Sequence, residues 1–152
     1  MFPATTRRVQ RNTDVEINAR IRRQIEANVA YYAQHPEEIG RRLDELDREW
    51  DIERTLEANA ASIGFTGVAL GALVHRGWLL LPAAVTAFLL QHALQGWCPP
   101  VPFFRRRGVR TAEEIGEERY ALKVLRGDFE SALDPGSDGQ GRARKALQSV
   151  YA

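Results

Sequence analysis

The chain has 152 residues, 27% of them charged, with 21 basic side chains against 20 acidic ones, so no general polyanion-binding role is expected and no nucleic-acid partner is predicted. A single cysteine excludes an intramolecular disulfide framework. His35, His75 and His92 fall on separate elements and form no His-x-x-x-His pair, so neither a metal site nor a cofactor is predicted.

Residues 1–13 are polar and basic without apolar periodicity, and are predicted to be loosely ordered. Met1-Phe2-Pro3 followed by Arg7 and Arg8 lacks the apolar stretch of a cleavable signal peptide, so any membrane insertion is expected to be directed from within the chain. Residues 14–57 are predicted to form a cytoplasmic helical pair. Asp14 suits a helix N-cap, and Ile17, Ile21, Ile25, Val29 and Tyr32 follow at steps of four and three on one stripe. His35-Pro36 ends that helix, because proline disfavours helical geometry in the residue before it. A second helix carries Ile39, Leu43, Leu46 and Trp50, and its acids are expected to lie near Arg20, Arg22 and Arg23 of the first. No proline follows, so Ile52, Leu56 and Ala60 are expected to continue one rod into the apolar stretch.

Residues 58–104 are the apolar centre of the chain: seventeen uncharged residues, Ala58 to Val74, a turn at His75-Arg76-Gly77, and twenty-seven residues from Trp78 to Phe104 without an acid, lysine or arginine. At 1.5 Å rise per residue the first run covers about 25 Å and Trp78 to Trp97 about 30 Å, the thickness of a bilayer core. The predicted fold class is therefore all-α, a two-span transmembrane helical hairpin with flanking amphipathic cytoplasmic helices, whose first partner is the lipid bilayer.

The first span holds few strong inserters, each contributing about 0.3 to 0.6 kcal/mol. Ala60, Gly64, Gly67 and Gly71 offer close backbone approach instead, which predicts a homo-oligomer or a membrane-protein partner. The polar residues Gln91, His92 and Gln95 of the second span lie at the depth of Asn59 and Ser62 of the first, and are predicted to form an inward-facing polar cluster. Three prolines in Pro99-Pro100-Val101-Pro102 end the span. Arg105, Arg106, Arg107 and Arg110 follow, placed to meet anionic lipid headgroups. Ten basic residues precede the hairpin, ten follow it and one sits in its turn, which predicts a multi-pass protein of the bacterial inner membrane with both termini cytoplasmic.

The glycine-rich first span, the tight turn, the second span closing on Gly96-Trp97-Cys98-Pro99 and the following Gly108-Val109-Arg110-Thr111 resemble the YgaP-like two-helix inner-membrane domain family of unknown function, over about residues 54–111. In one arrangement of that family the hairpin follows a rhodanese domain. Here no rhodanese-type active-site loop precedes the hairpin, and Cys98 is the one thiol, so the resemblance implies a membrane hairpin while sulfurtransferase activity is not carried over from it.

Residues 105–133 are predicted as a basic segment followed by an amphipathic helix. Thr111-Ala112-Glu113-Glu114 is a capping box, Ile115, Ala121, Leu122 and Leu125 mark the apolar side, and Gly127 is the stop. Residues 134–152 are predicted as a linker, Asp134 to Gly141, and a short basic helix from Arg142 to Tyr151 suited to the membrane surface. No catalytic constellation is evident. The predicted function is a non-catalytic scaffold, anchor or accessory subunit; the alternatives are a thiol or sulfur-relay protein using Cys98, and an oligomeric pore or transport subunit. Cys98 is the one residue that could carry chemistry, through a thiol near arginines at the membrane boundary. Burial as a small apolar residue is the favoured expectation for it.

Overall fold

A computed structural model describes residues 6–130 and 139–151, with Tyr151 by its backbone alone. The described residues contain helices and no strand: α1 (Arg8–Arg11), α2 (Val15–Gln34), α3 (Ile39–Arg48), α4 (Ile52–Leu73), α5 (Leu80–Gln95), α6 (Val101–Arg106), α7 (Ala112–Arg126) and α8 (Gly139–Tyr151), with short 3₁₀ turns at Pro36–Glu38 and Arg76–Leu79. They form two compact units. Residues 6–23 with Trp50–Ile115 make the first, and Gln24–Glu49 with 116–130 and 139–151 the second.

In the first unit α4 and α5 fold back on each other through His75, whose Nδ1 accepts from the Gly77 amide at 3.0 Å. Their register follows from two glycines. A Cβ on Gly67 would stand 2.5 Å from Cδ of Pro82, and one on Gly71 would stand 2.6 Å from Cδ2 of Leu79, so only hydrogen fits between the helices there. Gly64 faces open space. Two stretches are long and apolar enough to cross a membrane, one within Pro36–Leu73 and the other Arg76–Gln95, and only 17% and 6% of their apolar windows are buried. That is the reverse of a soluble core helix. Phe65, Leu73 and Leu80 are 77%, 84% and 76% exposed.

The expected continuous rod from the second predicted helix into the first span does not form. Glu49 and Asp51 are extended, with ψ of 132° and 172°, and Asp51 N-caps α4 by accepting from the Arg54 amide at 2.8 Å. The Ile52 amide is drawn to the Arg110 carbonyl at 2.8 Å, so the chain leaves helical geometry where a side chain and a distant carbonyl compete for its amides. Trp50 therefore lies off the α3 seam, half-exposed under the Arg54 guanidinium.

The predicted loose N-terminus is also corrected over residues 6–13. Val9 of α1 is buried in a core with Ile52, Leu56, Cys98 and Val101, against Phe104 and Val109. One apolar side chain in a polar stretch is enough to dock a single helical turn when it fills a hole in a core. The second apolar helix ends at Gln95 on a left-handed Gly96, ahead of the three-proline segment expected to stop it, and Pro100 and Pro102 instead open α6, since proline is well tolerated in a first helical turn.

In the second unit Ile39, Leu43 and Leu46 of α3 are buried, as are Ile25 and Leu122. Glu118, fully buried, accepts from Arg42 Nε at 2.8 Å and from Asn28 Nδ2 at 3.1 Å, and Asp47 pairs with Arg119. The acids of α3 thus find their cations on Arg41, Arg42 and Arg119, while Arg20 donates to the Arg106 carbonyl at 2.6 Å within the first unit. Leu125 is exposed, unlike the rest of the predicted apolar side of α7. The last helix begins at Gly139, and the part of the predicted linker before it lies outside the described residues.

Candidate functional site

Arginine 105 is the first departure from expectation. Its sequence neighbourhood groups it with the lipid-headgroup ligands, yet its side chain is completely buried. A guanidinium has five N–H donors, and here each meets an acceptor: Nε donates to Thr13 Oγ1 at 3.2 Å, Nη1 to the Val109 carbonyl at 3.0 Å and Glu114 Oε2 at 2.6 Å, and Nη2 to Glu114 Oε1 at 2.7 Å and Asn18 Oδ1 at 2.9 Å. Glu114 is the predicted capping-box acid, and it does cap, accepting from the Thr111 amide at 2.8 Å while its own amide donates to Thr111 Oγ1 at 3.2 Å. Burial alone would raise the Glu114 pKa. The bonds from Arg105 and the Thr111 amide outweigh it and hold the carboxyl below the usual carboxylate range. Arg110 is buried too, so Arg105 and Arg110 are not available to headgroups, whereas Arg106 and Arg107 are exposed, with Arg107 over the Phe103 ring.

The predicted polar cluster is not assembled across the hairpin. Asn59 Nδ2 donates to the Thr55 carbonyl at 2.7 Å and Ser62 Oγ to the Ala58 carbonyl at 2.7 Å, each four residues back on its own helix. Thr66 and Thr86 do the same. Such back-bonding satisfies a short polar side chain without a partner helix. Gln91 is half-buried and Gln95 exposed, although the Gln95 carbonyl accepts from Asn12 Nδ2 at 2.8 Å.

His92 goes elsewhere. It is buried, and its Nε2 lies 2.8 Å from Glu53 Oε2, while Glu53 Oε1 accepts from Arg8 Nη2 at 2.8 Å. Nδ1 is buried without a hydrogen-bond partner. Since a carboxylate can only accept, Nε2 carries the proton shared with Glu53. Arg8, Glu53 and His92 make one chain of contacts.

Local sequence builds each member of that chain. Gly96 ends α5 in the left-handed region at φ 77°, and the backbone of Arg8 fills the space where its Cβ would be, at 2.5 Å. This turn brings α1 against the end of α5. Sequence reading named His92 and Cys98 separately and missed Arg8 and Glu53. The signal was there for Glu53: a hairpin turning at Arg76 sets the residues near 53–60 opposite those near 92–98. For Arg8 there was none.

Cys98 lines an apolar cleft of about 230 Å³ between α4 and α5, with Leu56, Ala60 and Ile63 on one side and Val85 and Leu89 on the other. No group of three or more metal-ligating side chains occurs among the described residues. Compared with known protein families, with curated proteins and with solved structures, the chain gives no match.

Proposed function

We propose that this chain is an integral membrane protein whose two-span hairpin anchors the helices on either side of it, serving as a scaffold or accessory subunit without catalysis of its own. The observation that carries this reading is the outward apolar surface of α4 and α5, with Phe65, Leu73, Val74, Leu80 and Leu90 all exposed on a pair of helices of bilayer length. Soluble proteins rarely leave so large an apolar surface uncovered. Asn59, Ser62, Thr66 and Thr86 bonding back to their own helices fits a hairpin facing lipid better than one lining a wet pore. The balance of ten basic residues on each flank against Arg76 in the turn favours cytoplasmic termini in a bacterial inner membrane, and the YgaP-like resemblance of residues 54–111 agrees with that hairpin.

The test has two arms. After alkaline carbonate extraction the chain should stay with the membrane pellet, and reporters fused after Tyr151 should read as cytoplasmic. Release into the supernatant would remove the membrane reading, and a periplasmic reporter signal would invert the topology.

A further inference from the structure

We propose that the base of the hairpin binds one anionic phospholipid, which lays an acyl chain in the cleft between α4 and α5 and sets its phosphate on Arg106 and Arg107. The cleft, of about 230 Å³, is lined almost wholly by apolar side chains. Leu56, Ala60 and Ile63 line it from α4 while Leu89 and Val85 line it from α5, so its walls follow the spans away from the base. From Leu56 to Ile63 the helix rises about 10 Å, which gives the cleft the shape of an extended hydrocarbon. Phe104, packed against the core that holds Leu56, lines the lower end. From there a chain of ring contacts leads to positive charge. The Phe104 and Phe103 rings meet edge to face with centroids 5.4 Å apart, and the Arg107 guanidinium stands 4.1 Å from the Phe103 centroid. Arg106 is next to it, and both arginines are exposed. An apolar cleft that ends on exposed cations matches a molecule with a hydrocarbon chain and a negative head.

These two cations are the ones the fold leaves open. Arg105 directs its donors to Thr13, Asn18, Val109 and Glu114, and Arg110 is buried. Among the described residues no acid pairs with Arg106 or Arg107, so a phosphate meets them without displacing a carboxylate. A guanidinium suits that role because it can donate two parallel bonds to one phosphate. A second helix is the poorer occupant of this cleft. Helices in a bilayer meet through small residues, and Ala61 and Gly64 line a separate groove of the hairpin. The site rests on the membrane reading above and narrows the lipid partner to one place and one sign of charge.

The experiment uses the full chain purified in uncharged micelles, with phosphatidylglycerol and phosphatidylcholine of identical acyl chains as probes, and counts the lipid retained per chain by native mass spectrometry. The native chain should keep one phosphatidylglycerol, preferred over phosphatidylcholine on the order of tenfold. Arg106→Gln combined with Arg107→Gln should bring that preference close to unity. Arg54→Gln, at an exposed arginine that lies over Trp50 and does not line the cleft, should leave it unchanged. Ala60→Phe fills the cleft and should lower retention of both lipids by about tenfold or more. If that variant fails to fold, the arginine variants decide, because their side chains are exposed and remove no packing. Glycerol phosphate, a head without a chain, should not displace the bound lipid even in large excess. Equal effects of Arg54→Gln and the Arg106 and Arg107 pair, native retention in a folded Ala60→Phe, or displacement by glycerol phosphate would each overturn the proposal. Carbonate extraction is read separately: release would strike the membrane reading, whereas a chain that stays in the pellet and keeps the two lipids equally would strike this site alone.

Discussion

Within the first unit, the hairpin and the helices at its base satisfy their polar groups in opposite ways. In α4 and α5 the hydroxyls and the Asn59 amide bond to carbonyls on their own helix, and the helices meet through Gly67 and Gly71 with apolar side chains turned out. At the base, Arg105 is sunk among Thr13, Asn18, Val109 and Glu114, groups up to 92 residues away in sequence. Local bonds leave a helix free to be placed by its surroundings. The long-range network fixes four chain segments against one another, and that is where tertiary specificity resides.

The sharpest way to break this contrast is at Arg105. Arg105→Met should destabilise the chain by about 3–5 kcal/mol, because it leaves the Glu114 carboxylate buried without its cation. Thermal unfolding in micelles measures it, and a loss under about 1 kcal/mol would mean that water reaches Glu114. Adding Glu114→Gln to Arg105→Met should recover part of the loss, since the capping bond from the Thr111 amide survives with the charge removed.

Acid tests the same pair more gently. The Glu114 pKa is lowered in the folded chain, so its contribution is fully present above the unfolded value of about 4.3 and is lost as pH falls from there through the lowered folded value. Unfolding temperature should therefore drop below about pH 4 in the native chain, and this drop should be blunted in Glu114→Gln. Parallel profiles for the two chains would assign acid lability to other carboxylates.

A smaller effect is expected where hairpin and base meet. Gly96→Ala should cost about 1–2 kcal/mol for the left-handed backbone, and more if Arg8 cannot retreat from the new Cβ. Retention of the native unfolding temperature would show that α1 shifts freely.

Inside the hairpin, Gly67→Leu should cost roughly 1–3 kcal/mol by driving α4 away from Pro82, while Gly64→Leu should be close to neutral. Equal losses at the two positions would mean that Gly64 packs against another protein. The smallest effect belongs to the exposed Arg41, paired with Glu38 and Glu45: Arg41→Ala should change stability by no more than about 0.5 kcal/mol.

Much of the architecture follows from sequence-local physics. The capping box at Thr111 and Glu114, the stop before Pro36, the turn at His75-Arg76-Gly77 and the close approach at Gly67 and Gly71 each depend on residues within a few positions, or on a pairing that the turn enforces. These are legible because a cap, a proline or a missing Cβ acts wherever it stands. The uncharged length of the two spans belongs to the same class, since transfer free energy adds residue by residue.

The remainder was decided by tertiary structure. Sequence marks Arg105 as one more member of a basic cluster, and only the convergence of Thr13, Asn18 and Glu114 makes it the centre of the base. Val9 and Arg8 carry no periodic signal, yet the bare backbone of Gly96 admits the Arg8 backbone, and Val9 enters the core beside Cys98. His92 was drawn away from Asn59 and Ser62 because those side chains already have carbonyls on their own turn, and because Glu53 offers a charged acceptor at the same level of the hairpin. A buried charge is stable only where several distant segments bring acceptors to one point, and that condition is a property of the folded arrangement which no window of sequence contains.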